Sequence, residues 1–131
     1  MKIHDDHLYH GAALIQVAED KEFTAINSLK IGNKIHRTAY KINDKIALYL
    51  KYASNKTEPH NEYIFTFQKQ HLKDLRSIFK IYPNTYISLV CVHDREICCL
   101  SLYETLPLKK GIVFHWFYGF LFHNTFITVT S

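Results

Sequence analysis

Residues 36–53 have the sequence HRTAYKINDKIALYLKYA, and this stretch decides the fold. The dipeptide Asn43-Asp44 in its middle favours a tight hairpin turn, because Asn and Asp tolerate the positive φ that such a turn requires. Strands are therefore predicted on either side of the turn, over His36–Ile42 and Lys45–Ala53. The alternation of side chains along the second strand puts Ile46, Leu48, Leu50 and Tyr52 on one face, and Ala47, Tyr49 and Lys51 on the other.

Helical periodicity flanks this hairpin on both sides in the sequence. A first helix is predicted over residues 6–19, with Asp5 or Asp6 as its cap. A second helix is predicted over residues 68–82. Further strands are predicted at 62–67, 86–93 and 96–101, with a short helix near 102–108, whereas residues 20–34 fit either a helical turn or a loop. The resulting order is α-β-β-β-α-β-β, an α+β single domain with helices packed on a sheet.

The composition indicates a globular chain. Its 131 residues are 47% hydrophobic, which is enough to bury a core without metal or disulfide staples. The first residues do not form a signal peptide, because Asp5 and Asp6 stand where a basic region is needed. The closely spaced Cys91, Cys98 and Cys99 are odd in number, so we expect reduced thiols and a cytoplasmic location.

The last 21 residues form a segment of different character, so the domain is assigned to residues 1–110 and the tail to 111–131. The tail contains many aromatic residues and no Asp, Glu, Lys or Arg. A membrane span flanked by Lys109-Lys110 is one interpretation, but His115, His123 and Asn124 interrupt the apolar run. A poorly packed end is another. We expect instead a β-hairpin with strands over Ile112–Phe122 and Thr125–Thr130, which turns near His123-Asn124 and packs on the domain.

Several short stretches stand out between residues 5 and 106. The stretches are Asp6-His7-Leu8-Tyr9-His10-Gly11-Ala12-Ala13-Leu14, Ile42-Asn43-Asp44-Lys45-Ile46 with Tyr49-Leu50-Lys51-Tyr52, Phe65-Thr66-Phe67, and Leu89-Val90-Cys91 with Arg95-Glu96-Ile97-Cys98-Cys99-Leu100. Together they resemble a group of small uncharacterised bacterial proteins, over roughly residues 5–106. The resemblance implies a bacterial or phage origin and no particular activity.

The order of elements also resembles the core of the PD-(D/E)XK nucleases. That resemblance implies a Mg²⁺ or Mn²⁺ ion held by two carboxylates, with a lysine that positions the attacking water. Asp44 at the hairpin, Lys51 on the next strand and Glu62 on the third strand are the candidate catalytic residues. Tyr49 stands where the family has an acid two residues before the lysine, and a phenol is a poor Mg²⁺ ligand.

A binding module is the favoured function. The net charge of +4 suits nucleic acid or a nucleic-acid-processing protein as partner. Lys34, Arg37, Lys51 and Lys56 cluster around the first hairpin in the sequence and are the predicted nucleic-acid-binding residues. The alternatives are the nuclease, with Mg²⁺ or Mn²⁺ as its only cofactor, and a structural module that forms a homo-oligomer through the aromatic tail.

Two clusters of potential metal ligands complete the candidates. His4, His7 and His10 repeat at a spacing of three, which brings neighbours but not all three to one helical face. Cys91 and Cys98 are expected to face each other across the last hairpin, near His93 and Glu96. Exposed histidines and inert buried cysteines are the preferred interpretations of both clusters.

Overall fold

Two helices and two β-sheets make up the computed structural model, which describes residues 1–56, 62–102, 112–117 and 120–124. The helices are α1 (Asp5–Ala18) and α2 (Lys69–Ile81). The strands are β1 (Ile26–Ile31), β2 (Lys34–Ile42), β3 (Ile46–Ala53), β4 (Glu62–Phe65), β5 (Asn84–Cys91), β6 (Glu96–Ser101), β7 (Ile112–Phe117) and β8 (Phe120–Asn124). No helix in these ranges is long and apolar enough to cross a membrane.

The main sheet has the strand order β1-β2-β3-β5-β6. All its neighbours are antiparallel except β3 and β5, which run parallel from Ile46↔Asn84 to Ala53↔Cys91. A parallel neighbour requires a crossover, and α2 supplies it. Along this sheet and its helices the order is α-β-β-β-α-β-β, as predicted, but β1, which was not predicted, takes the place of the strand predicted at 62–67. In the second sheet, β4-β7-β8, the strand predicted at 62–67 forms β4 and pairs with the two strands of the tail.

The main sheet is covered by different layers on its two faces. On one face α1 packs Ala13 against β2, β3 and β5, in a core cluster with Ile42, Leu48, Leu50 and Val90. On the other face α2 and β4 pack over Tyr49 and Leu89, in a cluster that includes Tyr63, Phe65, Phe67, Leu75 and Ile78. The two clusters follow the predicted alternation in β3, because successive strand side chains point to opposite faces.

The predicted turn at Asn43-Asp44 is confirmed, with φ values of 53° and 61°. The Asn43 side chain does more than permit this conformation. Its Oδ1 accepts hydrogen bonds from the backbone N–H groups of Thr24 (2.7 Å) and Ala25 (3.1 Å), and its Nδ2 donates to the carbonyl of Glu22 (2.8 Å). These bonds fix the segment that enters β1, so one turn residue positions two parts of the sheet.

Several local predictions differ from the structure. The cap of α1 is His4, not Asp5 or Asp6: the His4 backbone N–H donates to Nδ1 of His7 at 3.0 Å, while the two acids lie in the first turn, where the helix dipole favours them. The strand β1 was not predicted, because its polar residues show no clear alternation.

The tail forms the predicted β-structure over β7 and β8, but its turn lies elsewhere. In the antiparallel pairing of β7 with β8, Phe117 lies opposite Phe120. His123 and Asn124 belong to β8, and the turn predicted there is wrong. The predicted strand at 125–130 and the predicted helix near 102–108 lie largely outside the described residues.

Candidate nucleic-acid interface

The structure does not bring Asp44 and Lys51 together. Asp44 lies in the β2–β3 turn, with its side chain 75% exposed and 3.1 Å from Nζ of Lys41. Lys51 lies seven residues further along the same extended chain, a span of roughly 23 Å. Glu62 begins β4, in the other sheet. The nuclease assignment stays a prediction, and a cleavage assay with Mg²⁺ or Mn²⁺ that compares Asp44→Ala with the wild type tests it.

Lys51 sits on the α2 side of the main sheet, where it is partly buried. Its Nζ donates to the backbone carbonyl of Thr66 and lies 4.2 Å from the centre of the Phe67 ring. Burial lowers the pKa of Lys51 to about 8. Among the described residues no carboxylate forms an ion pair with it. The Lys51 ammonium is partly buried and already donates to Thr66, so it is poorly placed to contact a phosphate of a nucleic acid.

Two of the other predicted nucleic-acid contacts are engaged within the protein. Nζ of Lys34 lies 2.8 Å from Oδ1 of Asp74 on α2, and Nζ of Lys56 lies 3.1 Å from Oδ2 of Asp94. The Lys56 and Asp94 side chains are only 14% and 15% exposed, so this pair is largely withdrawn from solvent. Arg37 is exposed on β2 and forms no ion pair within the described part of the chain. The cluster that the sequence suggested is therefore not a free basic surface.

A different basic surface lies on α2. Lys69, Lys73, Arg76 and Lys80 are all exposed, and no acidic side chain in the described ranges pairs with them. Their spacing of four, three and four residues keeps them within a sector of about 60° around the helix and spreads them over about 16 Å of its length. We call these four residues the α2 stripe.

Part of the α2 stripe works against the stability of its own helix, whereas Lys80 lies in the last turn, where the helix dipole favours a cation. Lys69 lies in the first turn, where no acidic residue offsets it and where the positive end of the helix dipole disfavours a cation. Neighbouring members also repel each other at the i,i+3 and i,i+4 spacings, by a few tenths of a kcal/mol per pair. A charge pattern that local stability disfavours is typical of a surface kept for binding.

Asp74, the only acidic residue of α2, interacts with residues of β2 and not with the α2 stripe. Asp74 accepts hydrogen bonds from Nζ of Lys34 (2.8 Å) and Nε2 of Gln70 (3.0 Å), and its Oδ2 lies 4.0 Å from Nδ1 of His36. Burial by itself would raise the pKa of Asp74, but these donors lower it below its ordinary value. Asp74 thereby ties α2 to β2 and leaves the α2 stripe without a counter-charge of its own.

The sequence already contained the signal for this surface. The pattern Lys-x₃-Lys-x₂-Arg-x₃-Lys over residues 69–80 is visible without a structure, once the helix is assigned. The prediction from sequence instead rested on the cations near the first hairpin, which are close to one another in the chain. The helix is oriented by the burial of Leu72, Leu75 and Ile78, which leaves the α2 stripe on its outer side.

The two clusters considered as metal ligands do not form a site in the described ranges, where no group of three His, Cys, Asp or Glu side chains could hold an ion. Cys91 opposes Glu96 and Cys98 opposes Leu89, so the prediction that the two cysteines face each other directly is wrong. Burial, with smaller contributions from Cys98 and the nearby acids, raises the pKa of the Cys91 thiol to about 12. A neutral buried thiol is a poor nucleophile and a poor metal ligand.

A buried hydroxyl explains the conformation of the β5–β6 turn. Oη of Tyr63 donates to Oδ2 of Asp94 at 2.5 Å and accepts from the Asp94 backbone N–H at 2.9 Å. Lys56 completes the arrangement through its ion pair with the same carboxylate. These contacts tie β4 to the end of the main sheet, and they account for Lys56 and Asp94 as structural residues.

Comparisons with protein-family models, with curated proteins and with solved structures gave no match to this chain. The resemblances to a bacterial protein group and to the PD-(D/E)XK core therefore stay predictions.

Proposed function

We propose that this chain is a nucleic-acid-binding module whose contact surface is the α2 stripe. The observation that carries the proposal is four exposed cations on one face of a single helix, none of which pairs with an acid in the part of the chain that the structure describes. A regular row of cations along a rigid element suits the phosphate backbone, since Lys and Arg contacts to phosphates dominate nucleic-acid affinity. The net charge of +4 adds attraction at longer range.

The same helix indicates how the nucleic acid is recognised. Phe79, the one phenyl ring of α2, packs against the core cluster instead of facing outward with the stripe. The stripe therefore offers charge without an aromatic platform on which bases stack, and we infer that binding depends little on sequence. The free thiols at Cys91, Cys98 and Cys99 support a reducing, cytoplasmic setting for this activity.

The salt dependence of binding measures the number of phosphate contacts. Four contacts predict a log–log slope of about −3.6 for duplex and about −2.8 for single strands. Duplex affinity is then expected to fall roughly 150-fold between 50 mM and 200 mM salt. Fluorescence anisotropy with labelled duplex and single-stranded oligonucleotides gives these slopes directly.

A matched pair of variants locates the surface. In the first, Lys69, Lys73, Arg76 and Lys80 are all replaced by Gln, and binding at low salt should be abolished. In the control, four exposed lysines elsewhere, Lys2, Lys21, Lys30 and Lys45, are replaced by Gln, so both variants lose the same charge. The proposal fails if the wild type does not bind at low salt, or if the control loses as much affinity as the α2 variant.

A further inference from the structure

A cavity of about 410 Å³ lies between the C-terminal half of α1 and the main sheet. Its size falls in the usual range of small-molecule sites, roughly 300–1,000 Å³. Val17 of α1, Phe23 and Leu48 of β3 are among the apolar side chains of its wall. Such a site gains specificity from a few polar groups at defined positions in an apolar wall. This cavity has polar groups of that kind at its floor and at its rim.

Ser88 places a buried hydroxyl at the floor of the cavity. It lies on β5, opposite Leu50 of β3 and Cys99 of β6, and its side chain points to the face that α1 covers, as that of Val90 does. Ser88 is only 3% exposed, and within the described part of the chain its hydroxyl forms no hydrogen bond. Buried hydroxyls in native proteins are nearly always hydrogen-bonded, because an unpaired one has lost its contact with water. The Ser88 hydroxyl therefore points to a partner that enters the cavity.

The rim of the cavity is acidic. Asp20 and Glu22 lie there, both exposed, in the segment that follows α1, and Oδ1 of Asp20 accepts a hydrogen bond from the Glu22 backbone N–H at 2.8 Å. Neither acid forms an ion pair in the ranges that the structure describes. No Lys, Arg or His is among the described residues of the wall, and Lys21, between the two acids in the chain, lies outside it.

The end of α1 adds to the negative potential of this rim. The helix ends at Ala18 with no basic residue in its last turn, so the negative end of its dipole lies in the same region as the two carboxylates. Acids at this end of a helix are unfavourable, and a bound cation would offset them. The chain as a whole has a net charge of +4, so the acidic rim is a local feature that the overall composition does not explain.

We propose that the cavity binds a small organic cation, an amine whose ammonium lies between Asp20 and Glu22 and whose apolar body reaches Ser88. The acidic rim attracts the ammonium, the apolar wall covers the body, and the Ser88 hydroxyl forms one hydrogen bond with the inner end of the ligand. A metal ion would leave the apolar wall and Ser88 uncovered, and an anion would be repelled at the rim. The cavity and the α2 stripe lie on opposite faces of the main sheet, so this site is independent of the proposed function.

Titration of the isotope-labelled full chain, followed by amide NMR, tests the proposal with three indole derivatives that differ in charge. Tryptamine is the cation, tryptophol has a hydroxyl in place of the ammonium, and indole-3-propionate is the anion. Tryptamine should bind roughly tenfold more tightly than tryptophol, and indole-3-propionate should not bind. The amide shifts caused by tryptamine should be largest around Val17, Ser88 and Ile97, which line the cavity.

Two variants locate the ligand within the cavity. Asp20→Asn with Glu22→Gln should lower the affinity for tryptamine to that for tryptophol. The control, Asp5→Asn with Asp6→Asn, removes the same charge at the other end of α1 and should leave the affinity unchanged. Ser88→Ala should weaken tryptamine binding about threefold to tenfold. It should not lower the stability of the free protein, because the hydroxyl has no hydrogen bond to lose there.

The absence of saturable tryptamine binding overturns the proposal, and so does equal binding of indole-3-propionate or an unchanged affinity in the variant at Asp20 and Glu22. Light scattering identifies another occupant: a second copy that covered the cavity would give a dimer that excludes tryptamine, which also overturns the proposal. Oligonucleotide binding by the wild type is measured separately, so the failure of either proposal is distinguishable from the failure of the other.

Discussion

Replacing Lys51 by Met should change the pH dependence of stability in a defined direction. Burial lowers the pKa of Lys51 to about 8, against 10.5 in an unfolded chain. Between these two values the unfolded state holds more protons than the folded state, so the free energy of unfolding of the wild type rises with pH. Below about pH 8 the full cost of burying the charge is present, and above about pH 10.5 it is gone.

The size of this effect follows from the pKa difference. The difference between these two pKa values corresponds to about 3.4 kcal/mol, and partial exposure of the side chain reduces this to about 1–2 kcal/mol. The Met side chain has similar length and no charge, so it removes the titration while it keeps the contact with Phe67. Wild-type stability should therefore gain about 1–2 kcal/mol relative to Lys51→Met between pH 7 and pH 10.5.

Urea denaturation of both proteins across this pH range measures the difference. The comparison matters because the buried thiols and Tyr63 also titrate at high pH, and their effects cancel when two variants share them. Lys45→Met, at an exposed lysine in the β2–β3 turn, controls for the loss of a lysine and the gain of a methionine. A flat difference for Lys51 would refute the argument that its ammonium is buried at a cost.

Two further predictions concern structural residues. Asn43→Ala should lower the free energy of unfolding, measured by urea denaturation, by about 2–4 kcal/mol. The substitution removes the hydrogen bonds to Thr24, Ala25 and Glu22 and leaves Ala at positive φ. A loss under about 0.5 kcal/mol would contradict this account. Native protein treated with iodoacetamide should be alkylated at the exposed Cys99 well before the buried Cys91, as peptide mass spectrometry would show, and equal rates would mean that β5 is not buried as described.

The elements that the sequence predicts well are those with local chemistry of their own. Asn43-Asp44 specifies a turn whatever surrounds it, and the apolar spacing of Leu72, Leu75 and Ile78 specifies an amphipathic helix. β1 has no such signal, because it contains Asn27, Ser28 and Lys30, and it forms a strand only because β2 offers it an edge. Its pairing could not be predicted from residues 26–31 alone.

For the candidate interface too, the sequence determines one part and the tertiary structure the other. The α2 stripe depends on spacing within one helix, so the sequence by itself determined it. Which cations remain free near the first hairpin depends on acids that are distant in the chain, 40 residues away for Lys34 and 38 for Lys56. Only the tertiary structure decided that Asp74 pairs with Lys34 and Asp94 with Lys56. It also decided that α2 and β4 cover the sheet face on which Lys51 lies, and that Asp44 lies at the other end of β3. Ion pairing and burial are set by distances in space, and a sequence specifies those distances only through the completed fold.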